Sequence, residues 1–147
     1  MLGRTQLQSF DWRTLDVARR LAPSWPRVYL TARQPRFDTL AGTAWTGGRR
    51  LSDHDSVPAL VRAAGGRIWS PHHADLDQAT LEEARGLGLQ VIPWTVNETA
   101  DMERLIDRGV NGLITDRPDR LRLVMAQRGM PLPPVVTPDP PLSSLPP

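Results

Sequence analysis

The sequence predicts an α/β fold with parallel strands, and two observations support this prediction. Five short β-type runs alternate with five segments of helical period, which is the order expected when helices cover a parallel sheet. The last two runs, LQVIPW and VNGLIT, are apolar over several consecutive positions, as in strands that are buried on both faces. The chain has 147 residues, so one domain is expected.

Each predicted element follows from local signals. The strands are predicted at 5–10, 27–32, 66–71, 89–94 and 110–115. The helices are predicted at 12–22, 56–64, 78–88, 99–109 and 119–129. Asp11, Asp77 and Asp116 precede the first, third and fifth helices. They are the predicted N-caps, because a short polar side chain at that position accepts a hydrogen bond from a free helical N–H.

Charge and composition exclude several function classes. All 18 cationic residues are arginines, and the net charge is only +2 although the isoelectric point is near 10.3. The arginines alternate with acids, as in DMERLIDRGV and TDRPDRLRL. The sequence therefore lacks the basic run that is typical of a nucleic-acid-binding protein. No stretch reaches the roughly 18 apolar residues of a membrane span. The absence of cysteine excludes disulfides and thiolate metal sites.

The two ends of the chain lead to separate expectations. The start, MLGRTQLQSFDW, has no apolar stretch of the kind found in a secretory signal, so none is predicted in this chain. Residues 131–147 hold eight of the 15 prolines and have neither helical nor strand period. They are predicted to form a disordered or polyproline tail after a domain of residues 1–130. The cellular compartment stays open.

Candidate binding residues follow the predicted strands at their carboxyl ends. His72 comes after the third strand, and Trp94 and Asn97 come at and after the end of the fourth. Ligand groups of parallel α/β folds lie in these βα loops, so these three residues are the predicted substrate-binding residues. Core packing is the alternative for Trp94. His73 could face the pocket in place of His72, and surface, capping or metal-binding roles are the alternatives for this pair. For Asn97 the first role expected is organisation of the turn, and pocket contact comes second.

Other residues are assigned structural roles. Residues 53–55 (DHD), in the long excursion at 33–56, and residues 72–75 (HHAD) include metal-binding residue types. Neither group has the separated spacing of a preformed ligand set, so no metal ligand is predicted. Phe10 is expected to pack in the core. The tryptophans other than Trp94 are expected in structural or loop positions.

Four stretches carry a resemblance to a known family. They are LQSFDWRTL, IWSP, GLQVIPWTVNETADMERLIDRGVNGLITDRPDRL and VMAQRGMPLP. Together they resemble the C-terminal half of a bacterial glycerophosphodiester phosphodiesterase over residues 5–133. The most specific part is PWTVN followed, after a helix, by GVNGLITDRP. The resemblance implies a partial TIM-type (β/α) barrel with about five of the eight βα units.

The resemblance also implies a chemistry. The family hydrolyses glycerophosphodiesters to glycerol 3-phosphate and an alcohol. It uses a divalent cation, calcium or magnesium, held by carboxylates, and two histidines for proton transfer. In the family these groups lie in N-terminal motifs: His-Arg-Gly, Glu-x-Asp, His-Asp and Glu-x-Lys. This sequence does not contain that set. We therefore predict no catalytic residue and no metal ligand in this chain, and no phosphodiesterase activity from the chain alone.

Three hypotheses for function stay open at this point. The chain is part of an active phosphodiesterase that acts on a small glycerophosphodiester. Alternatively, it is a non-catalytic remnant or binding module of the same fold. In the third hypothesis, an N-terminal half on another chain completes the barrel. An open portion of a barrel exposes strand edges, and no segment that would cover these edges is identifiable in the sequence.

Overall fold

The computed structural model describes residues 5–134 and places a parallel β-sheet at the centre of the molecule. In chain order the strands are β1 (Leu7–Ser9), β2 (Arg27–Thr31), β3 (Arg33–Gln34), β4 (Phe37–Asp38), β5 (Ile68–Pro71) and β6 (Gln90–Val91). Four of them form the sheet in the order β1-β2-β5-β6, and every neighbouring pair is parallel. Strands β3 and β4 pair as a separate antiparallel hairpin. The predicted α/β class is confirmed.

The helices lie where the sequence predicts them. They are α1 (Trp12–Leu21), α2 (Val57–Ala63), α3 (Gln78–Gly86), α4 (Thr99–Asp107) and α5 (Pro118–Gln127). Asp11 caps α1 by accepting from the Arg13 N–H, and Asp77 caps α3 by accepting from the Thr80 N–H. These two predicted caps are confirmed.

The predicted cap of the last helix is wrong. The N-cap position of α5 is Arg117, and no side chain caps this helix. The Asp116 carboxylate instead accepts a hydrogen bond from Asn97 Nδ2 at 3.1 Å. Because a tertiary partner holds this carboxylate, Asp116 joins two loops rather than starting a helix.

The predicted fifth strand is also corrected. Residues 110–115 run beside β6, where Asn111 N–H donates to the Val91 carbonyl at 2.9 Å and Ile114 N–H donates to the Pro93 carbonyl at 3.0 Å. The Val91 N–H, however, donates to the Asn111 side-chain Oδ1 at 2.8 Å. A side-chain oxygen thus occupies the position of a backbone carbonyl. This substitution interrupts the ladder, and residues 110–115 form no strand.

The main hydrophobic core lies between one face of the sheet and the helices. Tyr29, Trp69 and Val91 are neighbours in the strand register and belong to one buried cluster. Each helix adds at least one buried apolar side chain to that cluster, among them Leu15, Leu60, Leu81, Leu105 and Val124. Helices packed on a parallel sheet in this way bury its strands almost completely.

Alternate residues of the strands face away from this core. Val28, Leu30 and Ile68 are buried at 3%, 8% and 6% exposure, yet they are not members of the helix-side cluster. Side chains alternate between the two faces of a strand, so these residues define the second, inner face of the sheet. The side chains that cover the carboxyl-terminal end of this face belong to the candidate site.

The excursion between β2 and α2 is ordered against α1. The Trp12 N–H donates to the Trp45 carbonyl at 2.8 Å, and Arg49 Nη1 pairs with the Asp16 carboxylate at 3.0 Å. Of the predicted tail, residues 135–147 lie outside the described part of the chain. Within the described residues, no helix has the length and apolar character needed to cross a membrane.

Candidate functional site

The carboxyl ends of β5 and β6 bring His72 and Trp94 together. The two residues form an isolated parallel bridge, and the His73 N–H donates to the Trp94 carbonyl at 2.7 Å. The ring centroids of His72 and Trp94 lie 5.1 Å apart, edge to face at 89°. The bridge continues the pairing of β5 with β6 past the end of the regular ladder, and it fixes both rings at the strand ends.

The Trp94 ring is half-buried and lies outside the main core. Its Nε1–H donates to the Ser70 carbonyl at 2.9 Å. Ser70 belongs to β5, two positions after Ile68 on the same strand face. The indole therefore leans over the inner face of the sheet, which is the side that a wall of a pocket would occupy.

The Phe10 ring contacts the Trp94 ring, although the two residues follow strands at opposite edges of the sheet. Phe10 follows β1 at one edge, and Trp94 follows β6 at the other, yet their ring centroids are only 5.2 Å apart. The first and fourth strands of a flat sheet lie about 14 Å apart, so the sheet curves until its edges approach at the carboxyl end. Curvature in this direction is what barrel closure requires. The expectation that Phe10 packs in the main core is wrong, because the ring instead covers the inner face.

Two further rings extend this contact outward. Phe37 meets Phe10 at 5.2 Å, and Trp45 meets Phe37 at 6.1 Å. We call Trp45, Phe37, Phe10, Trp94 and His72 the aromatic row. Phe37 and Trp45 are 39% and 40% exposed. No pattern in the sequence points to Phe37, because it lies in the irregular excursion and reaches Phe10 only through the tertiary fold.

The adjacent histidines have different surroundings. His72 Nδ1 accepts from the Ala74 N–H at 3.3 Å, which leaves Nε2 as the nitrogen that carries a proton. His73 Nδ1 is buried and has no hydrogen-bond partner among residues 5–134. Burial, with the neighbouring His72 second, lowers the pKa of His73 below its usual value. We consider the Nε2–H of His72 as the donor for a ligand, because this half-buried ring contacts Trp94 at the strand ends.

Asn97 links the loops before α4 and α5. Its Oδ1 accepts from the Asp116 N–H at 2.9 Å and from the Thr115 hydroxyl at 3.1 Å. The Asn97 carbonyl accepts from Arg120 Nη1 at 2.8 Å. These bonds match the turn-organising role expected first for Asn97. The structure therefore joins His72 with Trp94, while Asn97 supports the loop that continues from Trp94.

The DHD group does not create a metal centre. His54 and Asp55 line a cavity of about 330 Å³ together with Arg33, Asp75 and Asp77. Asp75 accepts from the Arg33 N–H at 2.8 Å and from Gln34 Nε2 at 2.7 Å, and Asp77 caps α3. No group of three or more His, Asp or Glu side chains in the described range is arranged to hold a metal ion. The described residues therefore do not fit the divalent cation that the resemblance implies.

A larger cavity, of about 610 Å³, lies at the opposite end of the strands. Its lining includes Gln6, Trp25, Arg27, Arg67 and Gln90, at the amino ends of the sheet strands. Catalytic groups of (β/α) barrels lie at the carboxyl ends, and the amino-terminal face serves stability. Arg27 also donates to the carbonyls of Pro23 and Trp25, which is a structural task. We therefore place the candidate site at the aromatic row, which lies at the carboxyl ends of the strands.

Comparison with known proteins decides the family. The model of the glycerophosphoryl diester phosphodiesterase family matches residues 3–120. This chain belongs to that family. A Bacillus subtilis glycerophosphodiester phosphodiesterase is 32% identical over 118 residues, which are 80% of this chain and 35% of that protein. The resemblance predicted from the sequence is confirmed.

Solved structures of the family confirm the partial barrel. A Silicibacter pomeroyi protein, named as a glycerophosphoryl diester phosphodiesterase, is 36% identical with a TM-score of 0.73. The match covers 88% of this chain and 40% of that protein. An Oleispira antarctica phosphodiesterase, solved with its product sn-glycerol-3-phosphate, is 18% identical with a TM-score of 0.60 and supports the fold alone. This chain thus spans about two fifths of the length of the phosphodiesterase structures it matches.

Proposed function

We propose that this chain forms the carboxyl-terminal strand–helix units of a phosphodiesterase barrel that hydrolyses glycerophosphodiesters to glycerol 3-phosphate and an alcohol. The observation that supports this most directly is the junction of His72 and Trp94 at the strand carboxyl ends. Barrel enzymes assemble their active sites from residues at this edge, and the chain belongs to a family of glycerophosphoryl diester phosphodiesterases.

The residues of the site receive distinct roles in this proposal. Trp94 and Phe10 form an apolar wall against the carbon atoms of the glycerol unit. The Nε2–H of His72 donates a hydrogen bond to a phosphate oxygen. Asn97 is assigned to substrate binding through the loop it organises, because its amide fixes the backbone between Trp94 and α4. These residues bind and orient the substrate, and none of them performs proton transfer at the reacting atoms.

Hydrolysis itself needs groups that the described residues do not supply. Phosphoryl oxygens carry negative charge that must be neutralised as the bond to the leaving alcohol breaks. The described residues offer no cluster of metal ligands for that task. We propose that the metal-binding carboxylates and the two acid–base histidines come from the preceding strands of a complete barrel.

An activity assay tests both parts of the proposal. The purified chain, with added calcium or magnesium, is expected to release no glycerol 3-phosphate from glycerophosphocholine above a heat-inactivated control. A chimaera that joins the amino-terminal half of the Silicibacter pomeroyi barrel to residues 5–134 is expected to release it. Trp94→Ala in the chimaera should lower the rate and raise KM, because the apolar wall is lost.

Two results would contradict the proposal. Hydrolysis by the unmodified chain would show that the residues present suffice for the chemistry. A folded chimaera without activity, beside an active Silicibacter pomeroyi parent tested in parallel, would show that this carboxyl-terminal half does not build a working site. Circular dichroism of the chimaera separates this second result from misfolding.

A binding module is the second candidate function. It is favoured by one observation: the aromatic row is assembled in a chain whose described residues hold no metal cluster. In that case glycerol 3-phosphate should shift the indole N–H resonance of Trp94 in the isolated chain, without any hydrolysis. Trp94→Phe keeps an aromatic ring and loses that resonance. Calorimetric titration of this variant with glycerol 3-phosphate would therefore test whether the apolar wall still binds.

A further inference from the structure

The start of segment 110–115 is joined to β6 through one residue, Asn111. The Asn111 amide oxygen accepts from the Val91 N–H at 2.8 Å, and the Asn111 N–H donates to the Val91 carbonyl at 2.9 Å. One asparagine therefore makes both hydrogen bonds that join the start of this segment to β6. A chemical change that displaces these two groups acts directly on this junction.

The residue after Asn111 is Gly112, and this neighbour makes the amide reactive. The backbone nitrogen of residue i+1 can attack the side-chain carbonyl carbon of an asparagine and close a five-membered imide ring. A glycine at i+1 offers no Cβ to hinder the approach. Gly112 N–H donates no hydrogen bond among the described residues, and Asn111 is exposed to solvent. The nucleophile, the electrophile and water are thus all accessible.

We propose that Asn111–Gly112 is a site of spontaneous deamidation whose isoaspartate product loosens segment 110–115. The Gly112 nitrogen loses its proton and bonds to Asn111 Cγ, and the side-chain nitrogen leaves as ammonia. Water then opens the imide. Attack at one carbonyl gives aspartate, and attack at the other gives isoaspartate, in which the main chain runs through the former side chain and gains one methylene.

The two products have different structural consequences. Aspartate keeps an oxygen in the position of Oδ1, so the Val91 N–H keeps its acceptor. Isoaspartate lengthens the backbone between Asn111 and Gly112 and displaces the groups that pair with Val91. The displacement passes along the segment to Ile114, whose N–H donates to the Pro93 carbonyl and whose carbonyl accepts from the Val96 N–H. Those two bonds flank Trp94, so the lesion reaches the candidate site.

The chain contains its own controls. Its only other asparagine, Asn97, is followed by Glu98, whose side chain hinders the corresponding attack. Gly112→Ala introduces the same hindrance at residue 112. A Cβ there would meet Ile92 Cγ2 at 3.5 Å, an ordinary contact, and Gly112 is not among the glycines with positive φ. This variant should therefore fold normally and differ only in reactivity.

Peptide mass mapping of the full chain, incubated in mildly alkaline buffer, tests the proposal. We expect a gain of one mass unit at residue 111, chromatographic separation of aspartate from isoaspartate peptides, and no comparable change at residue 97. Gly112→Ala should slow the change severalfold. A synthetic peptide GVNGLITD, treated in parallel, gives the rate without the fold.

Hydrogen exchange of the aged protein tests the structural consequence. In the isoaspartate fraction the amides of Ile114 and Val96 should exchange faster than in fresh protein, whereas Asn111→Asp should retain their protection. Three results would overturn the proposal: a folded chain that stays intact while the peptide deamidates, a rate unchanged by Gly112→Ala, or an isoaspartate fraction with full protection at Ile114 and Val96.

Discussion

The two sides of strand β6 are held by different chemistry. Towards β5, the N–H groups of Gln90, Ile92 and Trp94 all donate to backbone carbonyls, at 2.9, 3.0 and 3.0 Å. Towards segment 110–115, the Val91 N–H finds only the side chain of Asn111. The far end of the same segment is held by another asparagine side chain, that of Asn97.

This difference shows where the partial barrel is strong and where it depends on single residues. A backbone ladder survives most substitutions, because every residue type except proline provides the same groups. The junction with segment 110–115 combines a few backbone bonds with side-chain amides, so it is weakened when one amide is changed. The β5 side also carries the main core, while residues 110–115 are at most half-buried. Substitutions on the two sides should therefore differ in how much unfolding free energy they cost.

The largest effect is expected from Trp69→Ala on the β5 side. Trp69 is 2% exposed, belongs to the main core and donates from Nε1 to the Thr31 hydroxyl at 2.9 Å. Its removal should cost about 3–5 kcal/mol of unfolding free energy, through the cavity left behind. Urea denaturation measures the loss. Trp45→Ala is the matched control, because Trp45 is 40% exposed, and an equal loss in the two variants would contradict the comparison.

A smaller effect is expected from Asn97→Ala on the other side. The substitution leaves the Asp116 N–H and the Thr115 hydroxyl without their acceptor and should cost about 1–2 kcal/mol. Gln78→Ala removes an exposed amide from α3 and should change the unfolding free energy by no more than about 0.5 kcal/mol. If Asn97→Ala were as mild as Gln78→Ala, the amide would not hold the junction.

The contact between Phe10 and Trp94 should appear as a coupling energy. Edge-to-face pairs contribute about 0.5–1.5 kcal/mol beyond their burial, so the double variant Phe10→Ala/Trp94→Ala should be that much less destabilised than the sum of the single variants. Trp45 does not stack on Trp94 directly. The pair Trp45→Ala/Trp94→Ala should therefore be additive within about 0.5 kcal/mol. Equal coupling in both cycles would mean that the two sheet edges do not meet through Phe10.

The smallest expected effect is a pH dependence from His73. Because its pKa is lowered in the folded protein, the native state binds this proton less readily than the unfolded chain, whose histidine pKa is about 6.5. The folded state should lose stability as the pH falls from about 7 towards about 5. His73→Gln should flatten this dependence in urea midpoints. His54→Gln, which removes a histidine from the excursion, should leave the slope in place; a slope that survives in His73→Gln would contradict the assignment.

Parts of this molecule could be predicted because their causes are local. The caps Asp11 and Asp77 follow from a polar side chain beside free helical N–H groups, and both are found. The bounds of the five helices lie within two residues of the predicted ones. The positions of His72 and Trp94 at strand ends follow from the alternation of strands and helices. Their substrate-binding roles stay predictions, with the assay above as their test.

Other parts depend on partners far away in the chain. Asp116 has the sequence signature of a cap, but Asn97, 19 residues earlier, binds its carboxylate. Residues 110–115 have the composition of a strand, but the Asn111 side chain competes for the Val91 N–H. The strand pattern and the cap rule describe only local preferences. A hydrogen bond from a distant amide can outweigh them, because such preferences amount to about 1 kcal/mol.

By itself, the sequence determined the α/β class, the order of the elements and the family, because hydrophobic period, capping residues and motif order are properties of contiguous residues. Only the tertiary structure decided that Phe10 meets Trp94, that Phe37 joins them, and that two asparagines hold the last extended segment. Each of these contacts joins residues at least 18 positions apart. Curvature of the sheet and competition between acceptors set such contacts, and neither is encoded in any single stretch of the chain.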